Sequence, residues 1–224
     1  MREFKNGKLK SSTGNLLPKD QTGGFVARDF RVNENVALTV FQTLFMREHN
    51  RICDVVVAKN PTLTDEEIFQ IARNYVIGLV QHITYDEYLP ALLGKANFDA
   101  LIGPYQYDPN SNPNIYTEFS AAAFRLGHPL INSPFKTMDN FGNVIKTLQL
   151  GEMFFNPSLV TSDSVTQFLN GLARTLAKER SLELVNDLRN FLFFPPNGEV
   201  KLDLFSFNIQ RGRDHGICSL SDAR

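Results

Sequence analysis

Two stretches of apolar residues at helical spacing set the limits on what this chain can fold into. Leu38, Phe41, Leu44, Phe45, Ile52, Val55 and Val56 recur with the period of an α-helix and predict one long amphipathic helix. Beyond Pro61, Thr64-Asp65-Glu66-Glu67 is a capping box. The threonine hydroxyl can accept from the Glu67 backbone N–H while the Glu67 carboxylate reaches back to Thr64. It opens a second helix through Ile68, Ile71, Ala72, Tyr75, Val76, Leu79 and Val80. The same spacing predicts helices over 116–127, 164–174 and 179–193. Gly127 and Pro129 mark an end around His128, and Pro195-Pro196-Asn197-Gly198 breaks the chain after the last. Prolines 104, 109 and 113 make 103–114 a loop, and the polar residues 1–24 read as an irregular arm. Strand-like alternation is scarce, so the fold class is mostly α.

A chain of 224 residues with 42% hydrophobic and 21% charged residues can bury a core and is not of disordered composition. The formal charge of −1 and the absence of a basic stripe argue against a nucleic-acid partner. No apolar run is long enough to predict a transmembrane segment, and the N-terminus lacks the apolar core of a signal peptide. The two cysteines, Cys53 and Cys218, lack the spacing of a thiolate zinc site. A disulfide and two free thiols are both open.

Two short segments carry the chemistry. Ala122-Ala123-Phe124-Arg125-Leu126-Gly127-His128 offers a histidine with an arginine one helical turn before it. Phe207-Asn208-Ile209-Gln210-Arg211-Gly212-Arg213-Asp214-His215-Gly216 offers an amide and more arginines. A neutral imidazole is a good iron ligand, and a haem-ligating histidine needs its other ring N–H held by an acceptor. The amide oxygen of Asn208 can be that acceptor. Arg125 and Arg211 suit the two haem propionates, because a guanidinium binds a carboxylate bidentately. Read from the residues alone, a single histidine near a helix end is more often structural than ligating, and the constellation stays open.

Taken with three further motifs, these segments resemble the animal-type haem peroxidase superfamily, and most closely its peroxinectin-like and bacterial branch. The motifs are Phe25-Val26-Ala27-Arg28-Asp29-Phe30-Arg31-Val32-Asn33-Glu34-Asn35, Arg47-Glu48-His49-Asn50-Arg51 and Ile83-Thr84-Tyr85-Asp86-Glu87-Tyr88-Leu89-Pro90. The resemblance implies that His128 is the proximal ligand of a haem b iron and Asn208 its hydrogen-bond partner. It implies that Arg125 and Arg211 serve the propionate side. Arg31 resembles the distal arginine beside bound peroxide, where its charge would stabilise the negative charge that develops as the O–O bond breaks. Glu34 resembles the glutamate esterified to a haem methyl, with a surface carboxylate as the other reading. Asn35 stands where myeloperoxidase has the methionine of its sulfonium link, so that link is not expected.

The implied reaction is reduction of hydrogen peroxide and oxidation of a small donor or halide, by an enzyme that is mostly exported in this family. In the family, the distal acid–base histidine, an aspartate for a second ester and a calcium-binding loop all precede the stretch matched by Phe25–Glu34. The resemblance therefore implies the central part of a catalytic domain over 25–224, incomplete at both ends and without the calcium ligands. A missing acid–base group costs roughly 10²–10⁴-fold, so weak activity is expected of the chain by itself. The alternative is a non-catalytic, peroxidase-like adhesion or interaction module. A cyclooxygenase-like fatty-acid oxygenase is disfavoured, because such relatives carry a radical-forming tyrosine where this chain has Arg125.

Other polar residues read as structural. The Arg47–Arg51 run is expected to be a polar helix face with buried ion pairs at i,i+4, His82 a core histidine, and Arg213-Asp214-His215 the brace of a loop carrying Asn208 and Arg211.

Overall fold

A computed structural model describes residues 1–179, 181–193 and 202–223. Its Cα packing separates two units, Met1–Pro18 with Thr43–Asn112, and Lys19–Gln42 with Pro113–Arg224. The division falls inside the long helix α1, Val36–Lys59.

In the first unit, the later turns of α1 pack against α2, Asp65–His82. Ile52 and Cys53 from α1 meet Ile68 and Ala72 from α2, with Val56, Val57 and Leu63 around them. The capping box forms as the sequence predicts: Glu67 N–H donates to the Thr64 hydroxyl, and Thr64 N–H donates to the Glu67 carboxylate at 2.8 Å. A π-helical turn, Ile83–Tyr88, leads into α3, Leu89–Leu93, and α4, Lys95–Leu101. The loop expected at 103–114 is irregular throughout.

The N-terminal segment is anchored rather than loose. The Asn50 side chain accepts from Leu9 N–H and donates to Leu9 O, and Arg47 Nε donates to Asn15 O at 2.8 Å. His49 is buried, with Nε2 3.0 Å from Gly7 O. The 47–51 run is thus mainly a clamp on the N-terminal backbone. Among the described residues its one ion pair, Arg51–Glu48, is exposed rather than buried and spaced i,i+3 rather than i,i+4.

The second unit holds α5, Thr117–Ala121, a 3₁₀ stretch over Ala123–Leu130, and the hairpin of β1, Phe135–Met138, and β2, Val144–Leu148. These strands pair antiparallel from Phe135↔Leu148 to Met138↔Val144, with a register shift between Thr137 and Met138. Then come α6, Leu150–Met153; α7, Ser162–Arg174; α8, Asn186–Arg189; and α9, Leu204–Asp214. Helix α7 turns Val165, Phe168 and Gly171 onto β1. A Cβ at Gly171 would lie 1.7 Å from the Lys136 carbonyl oxygen, so only glycine permits this approach. Leu150, Leu184, Leu188 and Leu192 form the core that seats α9 through Leu204 and Phe205.

Several expectations need correction. The 116–127 helix breaks at Ala122, where φ −129° and ψ −68° leave the helical region, and the chain tightens into 3₁₀ turns that run past His128 and Pro129. Among the described residues of 179–193, only Asn186–Arg189 is α-helical; Leu184, Leu188 and Leu192 reach the core from mostly irregular backbone, and Leu182 is exposed. Helix α1 buries Val36, Val40, Met46 and Cys53, while Leu38, Phe41, Leu44 and Val55 are exposed. A helix with apolar residues on several faces does not declare which one it buries. His82 is not a core residue, because it sits exposed and pairs with Asp86 across the π-helical turn. Asn208 and Arg211 lie on α9 rather than on a loop. The breaker 195–198 lies outside the described residues.

Candidate functional site

His128 and Asn208 approach each other from elements far apart in sequence. The 3₁₀ stretch has three residues per turn, so Arg125 and His128 stand directly above one another. Asp203 caps α9 by accepting from Phe205 N–H at 2.8 Å, which fixes the first turn and carries Asn208 to the opposite wall. The amide nitrogen of Asn208 then lies 3.0 Å from His128 Nδ1, and its oxygen accepts from Arg125 Nη1 at 3.1 Å. Arg125 Nε donates to Ala121 O at 2.8 Å, at the end of α5.

The three residues line a cleft of about 320 Å³ with Ala121, Leu126, Pro129, Phe205 and Ile209. Burial, seconded by the Arg125 charge, pushes the His128 imidazole below its ordinary pKa. Both causes favour the neutral ring, the form that binds a metal. A half-buried neutral imidazole in a mostly apolar cleft therefore fits a haem ligand. Asn208 departs from expectation in one respect, since it turns its nitrogen, not its oxygen, toward Nδ1. The oxygen is held by Arg125, which can only donate.

Arg211 is exposed one turn beyond Asn208 on α9. Arg31 and Glu34 lie at the 3₁₀ turn before α1, and among the described residues no hydrogen bond or ion pair links them to the three. Arg31 grips Asp29 bidentately, Nε to Oδ1 at 2.9 Å and Nη2 to Oδ2 at 2.7 Å. Those bonds hold the Asp29 carboxyl down at about 2. Glu34 is half-buried, and burial raises its carboxyl. Its carbonyl accepts from Phe155 N–H at 3.2 Å, next to the Asn35–Phe154 bridge. The bond between Arg125 and Asn208, 83 residues apart, has no signal in the sequence, where Arg125 is read toward a propionate instead.

Both cysteines are free, Cys53 buried and Cys218 exposed. No group of three or more metal-ligating side chains occurs among the described residues. No described helix is long and apolar enough to cross a membrane.

Among solved structures, Peroxidase A from Dictyostelium discoideum matches with a TM-score of 0.85 and 33% identity, over 96% of this chain and 44% of that one. An Oryza sativa fatty acid alpha-dioxygenase shares the fold at a TM-score of 0.76 and 20% identity, over 96% of this chain and 42% of that one. The fold is thus one that peroxidases and alpha-dioxygenases have in common. A family model described as animal haem peroxidase matches residues 1–224, and the chain belongs to that family. It is 40% identical over 205 residues to Peroxidasin homolog pxn-2 of Caenorhabditis elegans, covering 89% of this chain and 15% of that protein. It is 37% identical over 203 residues to Peroxinectin A of Dictyostelium discoideum, covering 91% and 36%. The chain therefore spans well under half the length of these relatives.

Proposed function

We propose that this chain supplies the proximal wall of the haem site in a peroxidase that reduces hydrogen peroxide and oxidises a small donor or halide. The observation that carries the reading is the 3.0 Å approach of Asn208 to His128 beside an apolar cleft. Haem, when bound, supplies the iron and the redox chemistry. His128 would hold the iron through Nε2, and Asn208 would orient the ring through Nδ1. Arg211, exposed one turn beyond Asn208, would take a propionate. Partial burial of the imidazole against the apolar side chains of the cleft favours its neutral form. Arg31 would lend its charge to peroxide once released from Asp29, and Glu34 would be the carboxylate that links to a haem methyl.

Reconstitution of the chain with haem tests this. A Soret band whose position changes in His128→Ala, with secondary structure intact by circular dichroism, is the expected result. An unchanged spectrum would remove His128 as the ligand.

A further inference from the structure

The turn that joins β1 to β2 directs its polar groups inward. The Asp139 carboxylate accepts from Phe141 N–H at 2.9 Å, from Asn143 N–H at 2.8 Å and from the Asn143 amide at 2.9 Å. Asn143 O accepts from Asp139 N–H, and Asp139 O from Gly142 N–H. Gly142 closes the turn at φ +93°, a conformation open to glycine. Helix α7 holds the turn in place: the Asn170 amide donates to Asn140 Oδ1 at 3.1 Å, and Arg174 Nη2 donates to Asn140 O at 3.1 Å. Phe141 is left outside this network at 90% exposure, and Val144 and Ile145 follow at 50% and 52%. The register passes from Thr137↔Lys146 to Met138↔Val144, so Ile145 is the extra residue of a bulge and has no partner across the hairpin. A fixed turn that holds three apolar side chains in water gains by burying them outside the chain.

We propose that the β1–β2 turn is a membrane-docking tip: Phe141, Val144 and Ile145 enter the apolar layer of an anionic bilayer, and Lys136, Lys146 and Arg174 meet its phosphate headgroups. The charge complements such a surface. Arg174 binds the turn itself, and Lys136 and Lys146 are exposed on the strands behind it. Asp139 is the one carboxylate between Phe135 and Leu148. The dimensions agree as well. Three residues of strand at about 3.3 Å each set the lysines about 10 Å behind the turn, and an interfacial segment sinks about 5–10 Å past the headgroups. Long lysine stems can reach back to the phosphates from there. Because the turn is already fixed by its own hydrogen bonds, little conformational freedom is lost on insertion.

The chain has no tryptophan, so Phe141→Trp places a single emitting side chain at the tip. With vesicles of phosphatidylcholine containing roughly one-third phosphatidylserine, its emission should move to shorter wavelength and be quenched by brominated acyl chains. The unsubstituted chain should float with the same vesicles, and less of it as salt is raised. Phe141→Ser removes an exposed side chain, so it should leave the circular dichroism unchanged and weaken binding about tenfold, the scale of burying one aromatic ring. Lys136→Gln with Lys146→Gln should weaken it about twentyfold, near fivefold for each cation. Tryptophan emission that the vesicles do not shift would overturn the proposal, and a tip that docks on a protein instead would give that result. Binding to pure phosphatidylcholine as strong as to the anionic vesicles, or binding unaltered by Phe141→Ser, would overturn it too.

Discussion

The guanidinium of Arg125 donates to the same Asn208 amide whose nitrogen lies 3.0 Å from His128 Nδ1, so an arginine, an amide and an imidazole form one chain of contacts. Burial and the Arg125 charge both lower the His128 pKa below the reference value of 6.5. A base whose folded pKa is depressed contributes stability that is present above the unfolded value and lost as pH falls through the folded one. NMR titration of the haem-free chain should place the His128 midpoint below 6.5. Arg125→Leu should raise it, because the nearby positive charge is gone. A midpoint at or above 6.5 in the wild type would refute the environment described.

The cysteines differ in reach. Cys53 is fully buried between α1 and α2, and burial pushes its thiol up to about 11, whereas Cys218 is exposed. A thiolate is the reactive species, so a thiol reagent at neutral pH should label one site per folded chain. Cys218→Ser should abolish that labelling, and mass spectrometry after denaturation should show Cys53 unmodified. Rapid labelling of Cys53 in the native chain would contradict its packing.

Gly171 lets α7 lie on β1. The Cβ of Gly171→Ala would fall 1.7 Å from the Lys136 carbonyl oxygen, a backbone atom that cannot swing aside. Overpacking of this kind costs about 1–3 kcal/mol and at times more. Leu188→Ala leaves a void in the core beneath α9 and should cost about 2–5 kcal/mol. Chemical denaturation measures both. A Gly171→Ala chain as stable as the wild type would mean that α7 does not approach β1 as described.

The helices that could be read from the sequence were those with a local signal. Thr64 and Glu67 announce α2 through their own side chains, and the spacing through Ile68 and Val80 continues it. At 179–193, the apolar spacing of Leu184, Leu188 and Leu192 mimics a helix, yet what it satisfies is a leucine cluster around Leu150. The Ala122 break is equally silent in sequence, though it sets the 3₁₀ geometry that stacks Arg125 on His128. His128 and Asn208 were legible as a pair because an imidazole and an amide are complementary hydrogen-bond partners, and the two do meet. The sense of their hydrogen bond was not, since a third residue, Arg125, decides it.

Whether His128 holds a haem iron is read most plainly in a cavity variant: His128→Gly reconstituted with haem, with and without added imidazole, followed by absorption and electron paramagnetic resonance. The variant is expected to lose the wild-type spectrum, and imidazole is expected to restore it. A wild-type spectrum in His128→Gly without imidazole would contradict that ligation.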